Sequence, residues 1–287
     1  MTETEALDMI KLAVVIAVMI SASIGDWRRR EVSDLHWIVL GVFGVVCMMY
    51  SFFSGSIRIE YVMVTIGTVM ILSDILWDRE RKPSVSVLFY VVMASMFILP
   101  LIYAWGDPDV TKLMTIPAAF VIFVVMFYAG ILKGGADVKC LIVLAIIFYA
   151  YPSFLGFPII AAPDEAISAI FQFPLMVLFF AALFSLPAGF YYMGVNIARR
   201  DTEFPYMFLG FRMSVSDAKN AHVWPMQNVV DGNIVKTRKA QDPEVLSDLE
   251  QAGAEKIWVT AMVPFLIPVT VSILFVAFVG NLLFALF

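Results

Sequence analysis

Long apolar runs alternate with short polar breaks along nearly the whole chain. Eight of these runs read as helices that cross a bilayer: residues 7–24, 35–53, 61–77, 85–105, 113–132, 138–151, 171–197 and 257–287. A helix needs about 20 apolar residues to span the hydrocarbon core, and most of the runs approach that length. The sixth is short, about 21 Å by helical rise, with Pro152 just beyond it. The eighth is longer than required and holds Pro264 and Pro268, so a tilt or kink is expected there. One polar segment, 199–256, interrupts the pattern. The expected organisation is a membrane domain over 1–198, an insert over 199–256 and a C-terminal transmembrane helix over 257–287. The fold class that follows is an all-α polytopic membrane protein of about eight transmembrane helices, with a small cytoplasmic insert before the last.

Within the insert, Ser214-Val215-Ser216-Asp217 has the form of a capping box and predicts a short helix near Val215. Asp231-Gly232 between two β-prone triplets predicts a hairpin. A second, acidic helix is expected within 241–255. So small a segment is short of material for its own core and is expected to lean on the membrane part.

Composition agrees with the pattern: 61% of residues are hydrophobic and 15% charged, which excludes an ordinary soluble domain. The net charge of −5 says less than the distribution of the basic residues. If the eight runs alternate in direction, all Lys and Arg except Lys11, Arg58 and Lys112 fall on one side. The positive-inside bias makes that side cytoplasmic and the start of the chain external. The arginines follow the first apolar run and an acidic stretch precedes it, which is the reverse of a cleaved secretory signal. Cys47 and Cys140 form no C-x-x-C pair, and both read as buried small hydrophobes.

The candidate chemistry lies at the cytoplasmic ends of two runs. Asp26 closes the first run, followed by Trp27 and Arg28-Arg29-Arg30. Asp137 opens the sixth, within Gly134-Gly135-Ala136-Asp137-Val138-Lys139. An ionisable residue at the edge of a span is costly and reads as functional. Two carboxylates at one depth suit aspartic proteolysis, in which one ionised and one protonated member share the work of activating water. The glycines permit close approach of a substrate backbone and departure from helical geometry. The plain alternative for each aspartate is a solvated or dipole-favoured residue at a helix end.

Asp74, inside the third run, is the rival carboxylate, with Asp78 one turn further along; a supporting role is favoured for Asp74. Lys133 and Lys139 flank the hexad and read as topology anchors, lipid headgroup contacts or partners of a carboxylate. His36 reads as an interfacial residue beside Trp37. Asp34 reads as a solvated loop charge. No histidine or cysteine cluster calls for a metal, and no cofactor or nucleic-acid partner is expected.

The hexad resembles the G-x-G-D-x-K signature of GxGD membrane aspartic peptidases. Asp26 with its arginines and Val32-Ser33 resembles the other aspartate motif of the type IV prepilin peptidase group. The insert, with Pro205-Tyr206-Met207-Phe208-Leu209-Gly210 and His222-Val223-Trp224, is similar to the C-terminal region of archaeal preflagellin peptidases. The resemblance implies catalytic roles for Asp26 and Asp137, with Gly134, Gly135, Ala136 and Lys139 supporting them. It implies removal of a short basic leader from preflagellins or type IV pilin-like precursors at the cytoplasmic face of the cell membrane. The cysteine-rich domain of bacterial relatives is absent, and methyltransferase activity is not expected. Ala136 departs from the family glycine, and a weaker or reshaped site is expected if that position needs a left-handed backbone. Two other readings compete: a proton-coupled transporter or ion pathway through Asp74, and a non-catalytic assembly protein.

Overall fold

A computed structural model describes residues 2–53, 57–77, 82–132, 134–262 and 264–286. Asp78, Arg79, Glu80, Arg81 and Lys133 lie outside the described residues. The chain divides into two compact units, Met1–Ala181 with Phe265–Phe287, and Ala182–Pro264.

The first unit is helical. Its elements are α1 (Glu3–Arg29), α2 (Leu35–Phe53), α3 (Ile59–Leu76), α4 (Pro83–Tyr103), α5 (Pro108–Leu113), α6 (Thr115–Tyr128), α7 (Gly135–Ile147) and α8 (Glu165–Ile170). The boundary between the units falls within α9 (Phe173–Arg199). Among the described residues, six helical segments are long and apolar enough to cross a membrane: α1, α2, α3, α4, the continuous run of α5 and α6, and α9. This is a polytopic, mostly helical membrane protein.

Two of the eight expected runs look different. The sixth becomes α7, only 13 residues long. Its first turn is set by Gly134 at the N-cap, and regular helix ends at Ile147. Burial compensates for its length: Cys140 through Ile147 are at most 1% exposed, so α7 is a central helix rather than a lipid-facing one. It packs on α2 and α6. On α2, Gly44 permits the close approach, since a Cβ there would lie 2.8 Å from Ile147 Cγ1. Small residues bring membrane helices together in this way, because dispersion contacts replace the hydrophobic drive.

The eighth run divides. Its first residues form a β-strand of the second unit, and the rest forms a 13-residue helix and the 3₁₀ turn Leu282–Leu286. The reason is pairing. Ile257, Trp258 and Val259 are β-prone and have strand partners elsewhere in the chain that a helix would forfeit.

The second unit contains the latter part of α9, then α10 (Tyr206–Leu209), β1 (Phe211–Ser214), α11 (Val215–Asn220), β2 (Val223–Pro225), β3 (Gln227–Val230), β4 (Asn233–Lys236), α12 (Val245–Gln251) and β5 (Lys256–Ala261). The order β1-β5-β2 makes an antiparallel sheet, and β3-β4 is a separate hairpin. Asp231 and Gly232 both have positive φ, 50° and 74°, the signature of the two-residue turn that matches strand twist. Ser214 caps α11 by accepting the Asp217 N–H. Val215, Val223, Leu246, Leu249, Ile257 and Val259 are buried together, so this unit has a core of its own. Two of those six residues come from the apolar run that looked like the start of the last span. The chain then returns to the first unit as α13 (Leu266–Phe278).

Candidate active site

Asp26 sits in the last turn of α1. That helix ends at Arg30, whose backbone is left-handed at φ 57° and donates its N–H to the Asp26 carbonyl at 3.0 Å. The Asp26 side chain points to another helix: Oδ2 accepts the Leu266 N–H, 3.3 Å away, in the first turn of α13. The first N–H groups of a helix have no partner inside it, and the positive end of its dipole favours an anion. Asp26 therefore meets one of α13's orphan donors. The two helices are pinned three residues earlier on α1. Thr270 Oγ1 donates to the Leu266 carbonyl at 2.7 Å, which leaves Ser23 Oγ to donate to Thr270 at 2.9 Å.

Asp137 lies in the first turn of α7, with its backbone N–H on the Gly134 carbonyl at 3.1 Å. Its carboxylate folds back over Gly134, in the space a Cβ at that residue would occupy. α1 and α7 touch at Met19 and Cys140, whose sulfurs are 3.6 Å apart and buried. Asp137 lies within electrostatic range of Asp26.

The other expected members separate. Lys139 Nζ binds Asp34 Oδ1 at 2.7 Å, tying α7 to the segment that follows α1; Asp34 is thus a paired charge, not a purely solvated one. Asp74 accepts the Tyr90 Oη at 3.0 Å, a bond between α3 and α4. Gly135 has open space around it. Ala136 belongs to α7 and has right-handed helical backbone, so nothing at this position demands glycine.

Sequence reasoning missed Leu266, since a backbone N–H leaves no mark in sequence. It placed three arginines beside Asp26 without singling out Arg30 as the one whose charge acts on that carboxylate. Trp37 is fully buried, and His36 beside it bridges Ser33 O through Nδ1 at 3.0 Å and Ser21 Oγ through Nε2 at 3.1 Å. Among the described residues, His, Cys, Asp and Glu side chains gather nowhere in groups of three or more.

An open groove of about 470 Å³ runs between α1 and α13, lined by Ile20, Ile24, Trp27, Ile267 and Val271 among others; Asp26 is next in sequence to Trp27 but is not part of the lining. Across 282 residues, 95% of this chain and 96% of its counterpart, the sequence is 27% identical to the preflagellin peptidase of Methanococcus maripaludis. The chain is a relative of the preflagellin peptidases. The enzyme of that name from Methanocaldococcus jannaschii is 23% identical over 287 residues, covering 97% of both chains, and that of Methanococcus voltae is 24% identical over 282. Residues 202–282 match the family described as Archaeal Peptidase A24 C-terminus Type II. The matched segment contains the strands β1, β2 and β5 and the Leu266 end of the contact with Asp26, while Asp26 itself lies outside it.

Proposed function

We propose that this chain is a membrane aspartic endopeptidase that removes the short basic leader of preflagellins or related type IV pilin-like precursors. The near-complete alignment with preflagellin peptidases carries the reading. The convergence of Asp26 and Asp137 from distant helices supports a two-carboxylate mechanism.

The surroundings favour a division of labour. Asp26 has the Leu266 N–H and the nearby Arg30 guanidinium to stabilise negative charge, so it is the base. Asp137 has the Asp26 charge beside it and is the acid. A water between them gives one proton to Asp26 as its oxygen bonds to the scissile carbonyl carbon. The carbonyl oxygen takes the Asp137 proton, giving a tetrahedral diol. The carbon–nitrogen bond then breaks: a proton returned from Asp26 completes the leaving amine, and one diol hydroxyl gives its proton back to Asp137 as the carboxylic acid forms. The groove along α1 and α13 offers the apolar segment behind the leader a path to Asp26. The basic-residue distribution supports a cytoplasmic position for the site.

Purified protein with a preflagellin precursor tests the reading. Asp26→Asn and Asp137→Asn should each reduce cleavage by about 10³-fold or more, in the range expected for loss of a general acid or base, with the thermal transition retained. Native cleavage by either variant would remove that residue from the pair.

A further inference from the structure

Arg30 carries two local penalties at one position. Its backbone is left-handed at the end of α1, a conformation that glycine adopts freely and a residue with a Cβ resists. Its guanidinium Nε and Nη1 are both buried without a hydrogen-bond partner. Buried unpaired donors of a cation are among the costlier defects a fold can hold, and such a group in a native structure calls for an explanation. Glycine at this position would avoid both penalties.

The ordinary roles of an arginine here are already filled or unmet. Arg28 and Arg29 are exposed and suffice to mark the membrane face. Capping of α1 by the side chain would engage a carbonyl, yet Nε and Nη1 engage none. Its backbone N–H is held by the Asp26 carbonyl, and its guanidinium lies within electrostatic range of the Asp26 carboxylate. Strained backbone and unmet polar groups of this kind cluster where a fold reserves a residue for a ligand.

We propose that Arg30 is a further catalytic residue, whose N–H groups are closed to solvent in the free chain and are uncovered on binding to receive carbonyl oxygens of the substrate peptide. Nε and Nη1 face different directions on the planar guanidinium, so they serve two acceptors. One is the scissile carbonyl oxygen and the other is the oxygen of an adjacent peptide. This rests on the reading of Asp26 and Asp137 as the water-activating pair. As the water oxygen bonds to the carbonyl carbon, its proton passes to Asp26 and the π pair moves onto the carbonyl oxygen. Arg30 holds that oxygen while the Asp137 proton arrives.

The test uses the purified full chain in lipid nanodiscs with a preflagellin precursor, reading kcat and KM separately. Arg30→Gly should melt no lower than the native protein, because it relieves the backbone penalty, yet lose about 10²–10³-fold in kcat, as for removal of one oxyanion donor. Guanidinium ion added at about 10 mM, by analogy with donor replacement, should restore part of that loss. Arg30→Lys should remain slow, since an ammonium keeps the charge without the planar donor set. Arg29→Gln should cleave at the native rate. Arg30→Gly with native kcat, a loss confined to KM, or full activity in Arg30→Lys would each overturn the assignment. The last outcome would reduce Arg30 to a positive charge near Asp26. If Arg30→Gly fails to fold, Arg30→Lys decides alone. Undiminished cleavage by Asp26→Asn would sink the carboxylate reading by itself, whatever the Arg30 variants do.

Discussion

At Gly134 the backbone has φ −84° and ψ 118°, a conformation open to every residue. What the position requires is space, because a Cβ would meet the Asp137 carboxylate. That carboxylate is the end of a side chain and can rotate away, so Gly134→Ala should fold while displacing Asp137. A displacement near 1 Å at reacting groups costs about 10²-fold in rate. Cleavage assays on Gly134→Ala should show a loss of that order, with melting close to native. Gly135 differs: nothing lies within 4 Å of its Cβ position. Gly135→Ala should keep native activity and gain up to about 1 kcal/mol from helix propensity, read by thermal melting. Equal losses in both variants would mean that the glycines serve backbone freedom instead. Ala136 belongs to the same argument. In sequence it looked like a departure with a cost, because a motif spelled with glycines suggests a left-handed turn. The right-handed helical backbone there removes the cost. The two aspartates were legible as charges at the ends of apolar runs. The reason for the glycine beside one of them was not, since it depends on where a carboxylate folds.

Among elements, legibility followed the range of the interaction. The β3-β4 hairpin was readable because Asp231-Gly232 specifies its own turn, and α11 because Ser214 caps it locally. β5 was not readable. Ile257, Trp258 and Val259 are as apolar as a membrane span, and only pairing with β1 and β2, distant in sequence, makes them a strand. Charge also joins distant elements in this unit. Glu203 binds Lys236 of β4 at 2.5 Å, accepts the Trp258 indole N–H of β5 at 3.2 Å and lies 3.5 Å from Arg212 of β1. The Lys236 hydrogen bond is the main cause that holds the Glu203 carboxyl below its ordinary value of 4.5; partial burial opposes it, and the Trp258 bond, Lys236 and Arg212 add to it. A depressed carboxylate contributes stability that is complete above its unfolded pKa and lost as pH falls through the folded one. Glu203→Gln should therefore destabilise this unit near neutrality, by up to about 1 kcal/mol for so exposed a group. The difference from native should shrink as pH falls below about 4.5 and close under the folded value. Hydrogen exchange at β4 and β5 amides across that range measures it, and a deficit that persists unchanged at pH 3 would rule out the ionic cause.

For the molecule as a whole, α1 is the measuring rod. Its 27 residues extend about 40 Å, beyond the roughly 30 Å hydrocarbon core, so both ends can reach water. Glu3 and Arg29 are exposed at opposite ends of it. The chain's own thiols give little background to a labelling experiment, because Cys47 and Cys140 are free but only 5% and 1% exposed. Basic residues collect at the Arg29 end of α1, at Lys82 before α4, at Lys139 in α7 and in the second unit, and all of these belong to the cytoplasmic side if the helices alternate. The alternation itself needs α7 and α13 to count as crossings. At 13 residues each they rise about 20 Å, and burial of α7 lets it run within protein instead of lipid. In intact cells, a membrane-impermeant maleimide should label Glu3→Cys, and should reach Arg29→Cys only after the membrane is opened. Extending the probe to Lys219→Cys in the second unit tests the count of crossings, because an odd number between Arg29 and Lys219 would expose one and shield the other. Labelling of Arg29→Cys from outside would place Asp26 on the external face. A basic leader waiting in the cytoplasm would then have no route to it, and the leader-cleaving reading would fall with the topology.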